Sequence, residues 1–550
     1  LNLSIRQPTY SSNFFRIQRK YGLFPFHSGK SIFSSSATED VAMPRTNHPE
    51  TFSRPGWATA AVCLASAAMP MTFTGPAVAL REIEAHLGGS PLALAWVTNA
   101  FMLAFGSCLM AAGALADKHG RRKVFLGAIA VFVAASLALM ASPNLWVFDG
   151  LRALQGIASA GVLAAGAAAL AQEVQGQARV RAFSLLGTSF GAGLTLGPVA
   201  AGWLTTAFGW QAIFVLVIAT ASIAFSIGMR VLRESRDPAA QKLDVPGALA
   251  ITSALTLFTF AILQAPAQGW LHPMTISALC GTALLLAAFV FVERRHPRPL
   301  LDLSLFRYSR FVGVQLLAAA PAFGFVVLLV LLPIRLIGIE GVPVAQAGLW
   351  MATLSAPLVV LPAVAGRLSH WISPATLCAA GLLMAAGGLV SLSVSAGGAA
   401  ALWPMFAIGV GISLPWGLMD GLAVSVVPTE RAGMATGIFS TVRVAGEGLA
   451  LAMVGALLTA LIAHELLTAT HLPSDTAVAV AQVLVSGNLA GAQAGWPSIG
   501  AAELMRAFEA AFSTLLMVLA GGTGLIALFV FRFLRTPNVP SATNCLGESA

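Results

Sequence analysis

Charge is what this sequence has least of. Only 10% of its 550 residues are Asp, Glu, Lys or Arg, against an apolar fraction of 57%, where a soluble globular chain carries about 25% charged residues. A chain so composed is expected inside a membrane. The formal net charge of +9 does not open a nucleic-acid role, because the basic residues fall in short links between apolar runs and form no patch. Cysteine is scarce as well. Of five, Cys63, Cys108, Cys280 and Cys378 sit inside apolar runs and Cys545 near the end of the chain, a pattern that fits neither a metal-ligand set nor a disulfide framework. They read as small buried hydrophobes. His464-Glu465 and His471 lack the spacing that puts two imidazoles on one helical face, so no metal is expected there. Gly29-Lys30-Ser31 lacks the first glycine of a phosphate loop, Phe24 standing in its place, and no ATP site is expected. With no nucleophile–base or metal constellation in view, the chain is read as neither an enzyme nor a cofactor protein.

Residues 1–56 are polar. Residues 1–42 hold Arg6, Arg16 and Arg19 among many serines, without an apolar core or a small-residue cleavage site, so they are not a secretory signal. They read as an upstream extension to a native leader opening at Met43; the alternative is an organellar transit peptide. From Trp57 onward come about 14 apolar runs, each about 20 residues long and able to cross roughly 30 Å of hydrocarbon as a helix. The last two are expected at 433–462 and 509–531, with a partly structured loop from about His464 to Arg506 between them. Basic residues mark one side of the membrane: Lys118 to Lys123, Arg179 and Arg181, Arg230 to Lys242, Arg294 to Arg310, Arg367, Arg431, and Arg532 with Arg535. The opposite links carry only Arg81, Arg335 and Arg506, so both termini are expected in the cytoplasm.

Gly113 to Lys123, GALADKHGRRK, is a charged hinge between the second and third runs. Its glycines permit a tight turn, and Asp117 can accept from backbone N–H groups or from a guanidinium. With Gly113, Leu115, Asp117, Gly120, Arg121 and Arg122 in register, it resembles the signature loop of the major facilitator superfamily. In the fourth run Arg152, within Leu151 to Gly156, is a charge that costs on the order of 2.5 to 3.5 kcal/mol in a bilayer unless it faces something polar. It is similar to the superfamily's fourth-span arginine, which implies a part in proton or substrate coupling; neutralisation by Asp149 or helix-end carbonyls is the plainer alternative. Gly193, Gly197-Pro198 and Gly202 make a stripe that lets helices approach closely, with a proline break. The stripe resembles the superfamily's exporter motif, although Ala201 replaces one glycine of its final pair.

Further matches run through Leu243 to Gly247, Phe291 to Arg307, Ala347-Gly348 and Val427 to Gly446. Together they resemble the fourteen-span drug/proton antiporter branch. The resemblance implies an all-α integral membrane fold of two six-helix bundles, 57–229 and 310–532, two linking helices over 246–293, and a cytoplasmic tail at 533–550. It implies multidrug efflux by a monomer in a bacterial inner membrane, with protons and a small molecule as partners and neither nucleic acid nor cofactor.

One departure bears on mechanism. The branch carries an aspartate in the first span where this chain has Thr72, which cannot titrate near neutral pH. Asp420 and Glu447 could take its place. Glu447 lies one helical turn after Arg443, so the two could pair at i, i+4. Arg152, Asp420, Arg443 and Glu447 are therefore the candidate cavity or coupling residues, while Gly113, Asp117, Gly120, Arg121 and Arg122 would latch one face. The expected function is proton-coupled efflux of small organic molecules or drugs. Export of an anionic metabolite, such as a siderophore or aromatic acid, is the alternative, and a non-transporting scaffold or sensor is the reading from another class.

Overall fold

The computed structural model describes residues 55–174, 176–236, 245–295, 303–395, 397–426, 432–470 and 472–535. The leader up to residue 54, His471, the tail from 536, and parts of the motifs at 243–244, 299–302 and 427–431 lie outside the described residues. Among those described, 14 helices are long and apolar enough to cross a membrane. In hydrocarbon a helix satisfies every backbone group within one segment, so uninterrupted apolar runs of this length have one stable form.

The first six are α1 (Pro55–Val78), α2 (Pro91–His119), α3 (Arg121–Met140), α4 (Leu145–Glu173), α5 (Gly176–Phe208) and α6 (Gln211–Val231). Two more follow, α7 (Val245–Gln268) and α8 (Pro273–Arg295). The second six are α9 (Ser309–Ile339), α10 (Val344–Leu368), α11 (Pro374–Ser393), α12 (Leu402–Ser425), α13 (Ala432–Thr470) and α14 (Ala501–Leu534). Starts are set by local chemistry. Ser90 and Ser373 each accept from a backbone N–H three residues on and precede a proline at the first helical position, and Asn144 caps α4 through Val147 N at 3.0 Å. All three satisfy donors that a helix N-terminus leaves open. In α9 the ladder widens to π turns at Ala322–Val326 and Ile334–Ile339, each directly after a proline that removes a donor.

Within the first six, α2 packs on α4, α1 on α5 and α6, and α3 on α4 and α6; within the second, α11 packs on α12 and α14, α10 on α12, and α9 on α14. The sets join mainly through α2 with α13 and α5 with α10, and α1 also touches α9 and α10. Helices α7 and α8 pack on each other, and α7 covers α2 and α13 from outside.

Glycine makes both seams close. A Cβ on Gly106 would run into the backbone of Ala445, and one on Gly448 into Met102 and Leu103. Along the other seam Gly191 abuts the carbonyl of Leu358, while Gly202 and Gly348 face each other beside the carbonyl of Pro198. On the side away from the basic links, Asn488 Nδ2 donates to Glu84 Oε1 at 3.0 Å, tying the short helix after α1 to the segment before α14.

The expected loop between the last two spans is shorter than the sequence suggests. Helix α13 continues to Thr470, so His464 and Glu465 are helical, and α14 begins at Ala501, which places Arg506 inside it. Between them lie helices Ser474–Val485 and Leu489–Gly495. The first buries Ala477, Val480, Ala481 and Leu484, a one-face pattern that lies against α13. Cys378 is buried as expected, whereas Cys280 on α8 is exposed.

Candidate functional site

Midway along the seams, side chains from both sets enclose a small cavity. Its wall is built from Met69, Phe73, Phe101, Met102, Phe105, Phe190, Trp416 and Glu447, among others, and Glu447 is its one charged residue among those described. The volume is about 20 Å³, room for about one water. As it stands the cavity admits no drug-sized molecule. Trp416 of α12 lies 6.4 Å from Phe190 of α5 and 6.3 Å from Phe325 of α9, ring centre to ring centre, so aromatic faces bridge the two sets. Such faces suit planar or cationic organic molecules. Glycine positions the carboxyl: Gly448, directly after Glu447, lets α13 lie on α2 at Met102.

Arg443 interacts with Glu447 through space, one helical turn away, and is in closer contact with another acid. Its Nη1 lies 3.3 Å from Asp420 Oδ1, and its guanidinium carbon lies 5.9 Å from the Trp416 ring and 5.5 Å from that of Phe439. Helical spacing allows the i, i+4 pair, but α12 delivers an acid to the same cation from the other side. The Asp420 side chain is 61% exposed and that of Arg443 14%, so this ion pair stands at the mouth of the site, one turn from Trp416. Among the described residues Glu447 makes no ion pair within 4 Å, and Arg443 acts on it through space.

Arg152 lies behind the wall. It is fully buried, its Nε donates to Val97 O at 2.9 Å, its Nη1 donates to Gln155 Oε1, and its guanidinium carbon sits 4.4 Å from the centre of the Phe101 ring. Gln155 in turn donates to Ser136 Oγ at 2.7 Å. The charge thus knits α4 to α2 and α3 and touches the cavity only through Phe101. Asp149, one turn earlier, has both carboxylate oxygens buried without a hydrogen bond and interacts with Arg152 through space. Arg152→Leu is expected to cost about 3 kcal/mol, because it strands that buried acid. Arg152→Leu/Asp149→Asn should recover part of the loss, both read from the denaturation midpoint of purified protein.

The hinge loop is tied down inside the first six helices. Asp117 Oδ1 accepts from Arg121 Nε at 2.9 Å and Nη2 at 2.7 Å, and Arg122 Nη2 donates to Met229 O at 2.6 Å near the end of α6. Gly120 has φ +112°, and a Cβ there would strike the Glu234 carboxylate. That carboxylate accepts from Lys123 N at 3.2 Å, at the positive end of α3. Gly113 packs against Ala164. Sequence reasoning missed Glu234, since no spacing rule connects it to a loop more than 100 residues away.

The exporter-like stripe divides its work. Gly193 and Gly197 lie against α1, at Ala67 and Thr74, while Gly202 and the Pro198 carbonyl meet α10. Thr72 is fully buried and donates its hydroxyl to Ala68 O at 2.8 Å. It is spent within its own helix.

Residues 60–451 match the sequence profile described as Major Facilitator Superfamily. Multidrug resistance protein Stp of Mycobacterium tuberculosis is 28% identical over 386 residues, 70% of this chain and 72% of that protein. The tetracenomycin C resistance and export protein of Streptomyces glaucescens is 26% identical over 500 residues, 88% of this chain and 92% of its own length. Among solved structures, a bacterial homologue of the human lysosomal transporter Spinster, inward-facing and unoccupied, aligns with TM-score 0.62 at 16% identity, over 88% of this chain and 97% of that one. The human organic anion transporter MFSD10 aligns with TM-score 0.55 at 16% identity, over 88% of this chain and all of the other. At such identities the structures speak for the fold alone.

Proposed function

We propose that this chain, which belongs to the major facilitator superfamily, exports small organic molecules or drugs in exchange for protons. The observation that carries the reading is Glu447, a single carboxyl on the wall of an otherwise uncharged, aromatic cavity where two helix sets meet. A group so placed can hold a proton or a cationic substrate but not both, which is the elementary requirement for exchange. The names of the relatives from Mycobacterium tuberculosis and Streptomyces glaucescens support export as the direction.

In this reading residues 57–229 and 310–532 are the halves that rock about the cavity, and 246–293 link them. The loop holding Gly113, Asp117, Gly120, Arg121 and Arg122 acts as a latch when its side closes. The chain works as a monomer in a bacterial plasma membrane, its basic links and both termini in the cytoplasm. Arg335 is held by Glu340 at 2.9 Å and Glu509 at 2.7 Å, and Arg81 by Glu84 at 3.1 Å, while Arg121 on the basic side is likewise held by Asp117; the orientation rests on the number of basic residues on each side. Export of an anion would call for an unpaired cation at the cavity wall. Arg443 is engaged with Asp420 and Arg152 stands behind Phe101, which favours neutral or cationic substrates.

The test is proton movement in everted vesicles energised by respiration, on adding a panel of lipophilic cations and organic acids. Substrate-dependent proton release supports exchange. Substrate flux with no proton movement sinks it, and absence of flux for every compound returns the scaffold reading.

A further inference from the structure

A second, larger cavity lies next to the midplane one, on the side away from the basic links. Its volume is about 310 Å³, against about 20 Å³ for the first. Protein interiors leave few voids larger than a water, so a space of this size is a built feature of the fold. The two cavities share three helices, and on each the lining passes from one to the other within about a turn: Met102 to Thr98 on α2, Val326 to Val330 on α9, and Glu447 to Leu451 on α13. That step is about 6 Å of helix rise.

Helix packing explains why the space begins there. Helices α2 and α13 touch where a Cβ on Gly106 would strike the backbone of Ala445 and one on Gly448 would meet Met102 and Leu103, whereas two turns further along α13 a Cβ on Gly455 meets no atom within 4 Å. By that level the pair has diverged. From outside, α7 closes the gap: its Ile262 packs with Ala452 and Ala456 of α13, and its Leu263, Gln264 and Pro266 form part of the cavity wall. Toward the water the cavity reaches Ser90, which is exposed, and the end of the helix Ser474–Val485. None of the described residues that line it is charged.

We propose that this cavity is the exit compartment for the molecule carried by the midplane site, with α7 as its outer wall, an inference that rests on the export reading above. A molecule displaced from Glu447 by a proton needs a neighbouring space that takes it up and holds it weakly, because a site that grips its ligand does not pass it on. The wall is of that kind. Apolar side chains alternate with the neutral Thr98, Gln264 and Gln482, whose hydroxyl and amides bring donors and acceptors together and no fixed charge. Its volume is at the low end of the roughly 300–1,000 Å³ that small-molecule sites occupy, so the compartment admits compact molecules. The linking helix α7 gains a definite role here, since it sets the width of the exit between α2 and α13.

The test uses ethidium as the exported cation and the full chain carrying Gly455→Cys, in a background lacking the native cysteines. Gly455 lines the cavity and has open space at its Cβ, and the folded protein is modified there with methyl or benzyl methanethiosulfonate. Ethidium accumulation in everted vesicles energised by respiration should stay within about twofold after the methyl reagent and fall about tenfold or more after the benzyl reagent, whose ring takes up much of a space this size. Equilibrium binding of ethidium to the chain in lipid nanodiscs should be unchanged by either. The parent chain without the introduced thiol should respond to neither reagent. Ethidium under export should also slow the reaction of the thiol, which a merely distorted seam would not cause. Undiminished export after benzyl modification overturns the inference and leaves the export reading standing, as do loss of binding in step with export, a thiol that does not react, and a thiol that ethidium does not protect. A wild-type chain that exports no ethidium takes down the export reading for such cations and this inference with it.

Discussion

Glu447→Gln is expected to abolish substrate-dependent proton release, by at least a hundredfold, while substrate binding persists. The exchange is isosteric, so the aromatic walls and the α2–α13 contact at Gly448 stay as they are, and only the ability to lose a proton goes. Glutamine imitates the protonated acid permanently. Downhill efflux should continue in the variant and lose its dependence on the proton gradient, measured as substrate release from preloaded vesicles with and without respiration. Asp420→Asn supplies the contrast. Asp420 is largely exposed and its pair with Arg443 is 3.3 Å long, a class of interaction worth about 0–1 kcal/mol, so a loss of only a few-fold is expected. If instead Asp420→Asn abolishes proton release and Glu447→Gln retains it, the coupling group is at the mouth of the site and the proposal for Glu447 falls.

The difference between those two acids shows what the sequence could and could not say. Spans were legible because length and hydropathy are properties of a contiguous run, and a backbone in hydrocarbon has little choice of form. The hinge loop was legible for a similar reason, its Asp117–Arg121 pair closing within four residues. Pairings between distant segments were not. Arg443 could be assigned to Glu447 by helical arithmetic, but only packing brings Asp420 from α12 to the same guanidinium. Glu234 reaches Gly120 by the same kind of contact, and so does Phe101 reach Arg152. The start of α14 was placed late because Glu503, Arg506 and Glu509 interrupt its apolar run; Glu509 is balanced in the fold by Arg335 from α9, a compensation invisible along the chain.

Gly348→Leu is expected to slow transport by roughly 5- to 150-fold while leaving the chain inserted and monodisperse. Gly348 faces Gly202 across the α5–α10 seam, and a side chain there would strike the backbone carbonyl of Pro198. A carbonyl inside a helix cannot swing aside as the tip of a side chain can, so the seam as seen here could not close. Such overpacking costs about 1–3 kcal/mol, which tilts a two-state equilibrium by roughly 5- to 150-fold, and a transporter so biased turns over more slowly by up to that factor. The direction of the tilt follows from where the seam lies. It runs toward the side away from the basic links, where Asn488 also holds Glu84, and propping it apart should expose that side. A cysteine introduced at Ala345, which lies against Gly202, in a background lacking the native cysteines, should then react faster with a membrane-impermeant maleimide. Unchanged reactivity with full transport would mean that α5 and α10 do not meet in this register during the cycle, and that the exporter-like glycines serve packing alone.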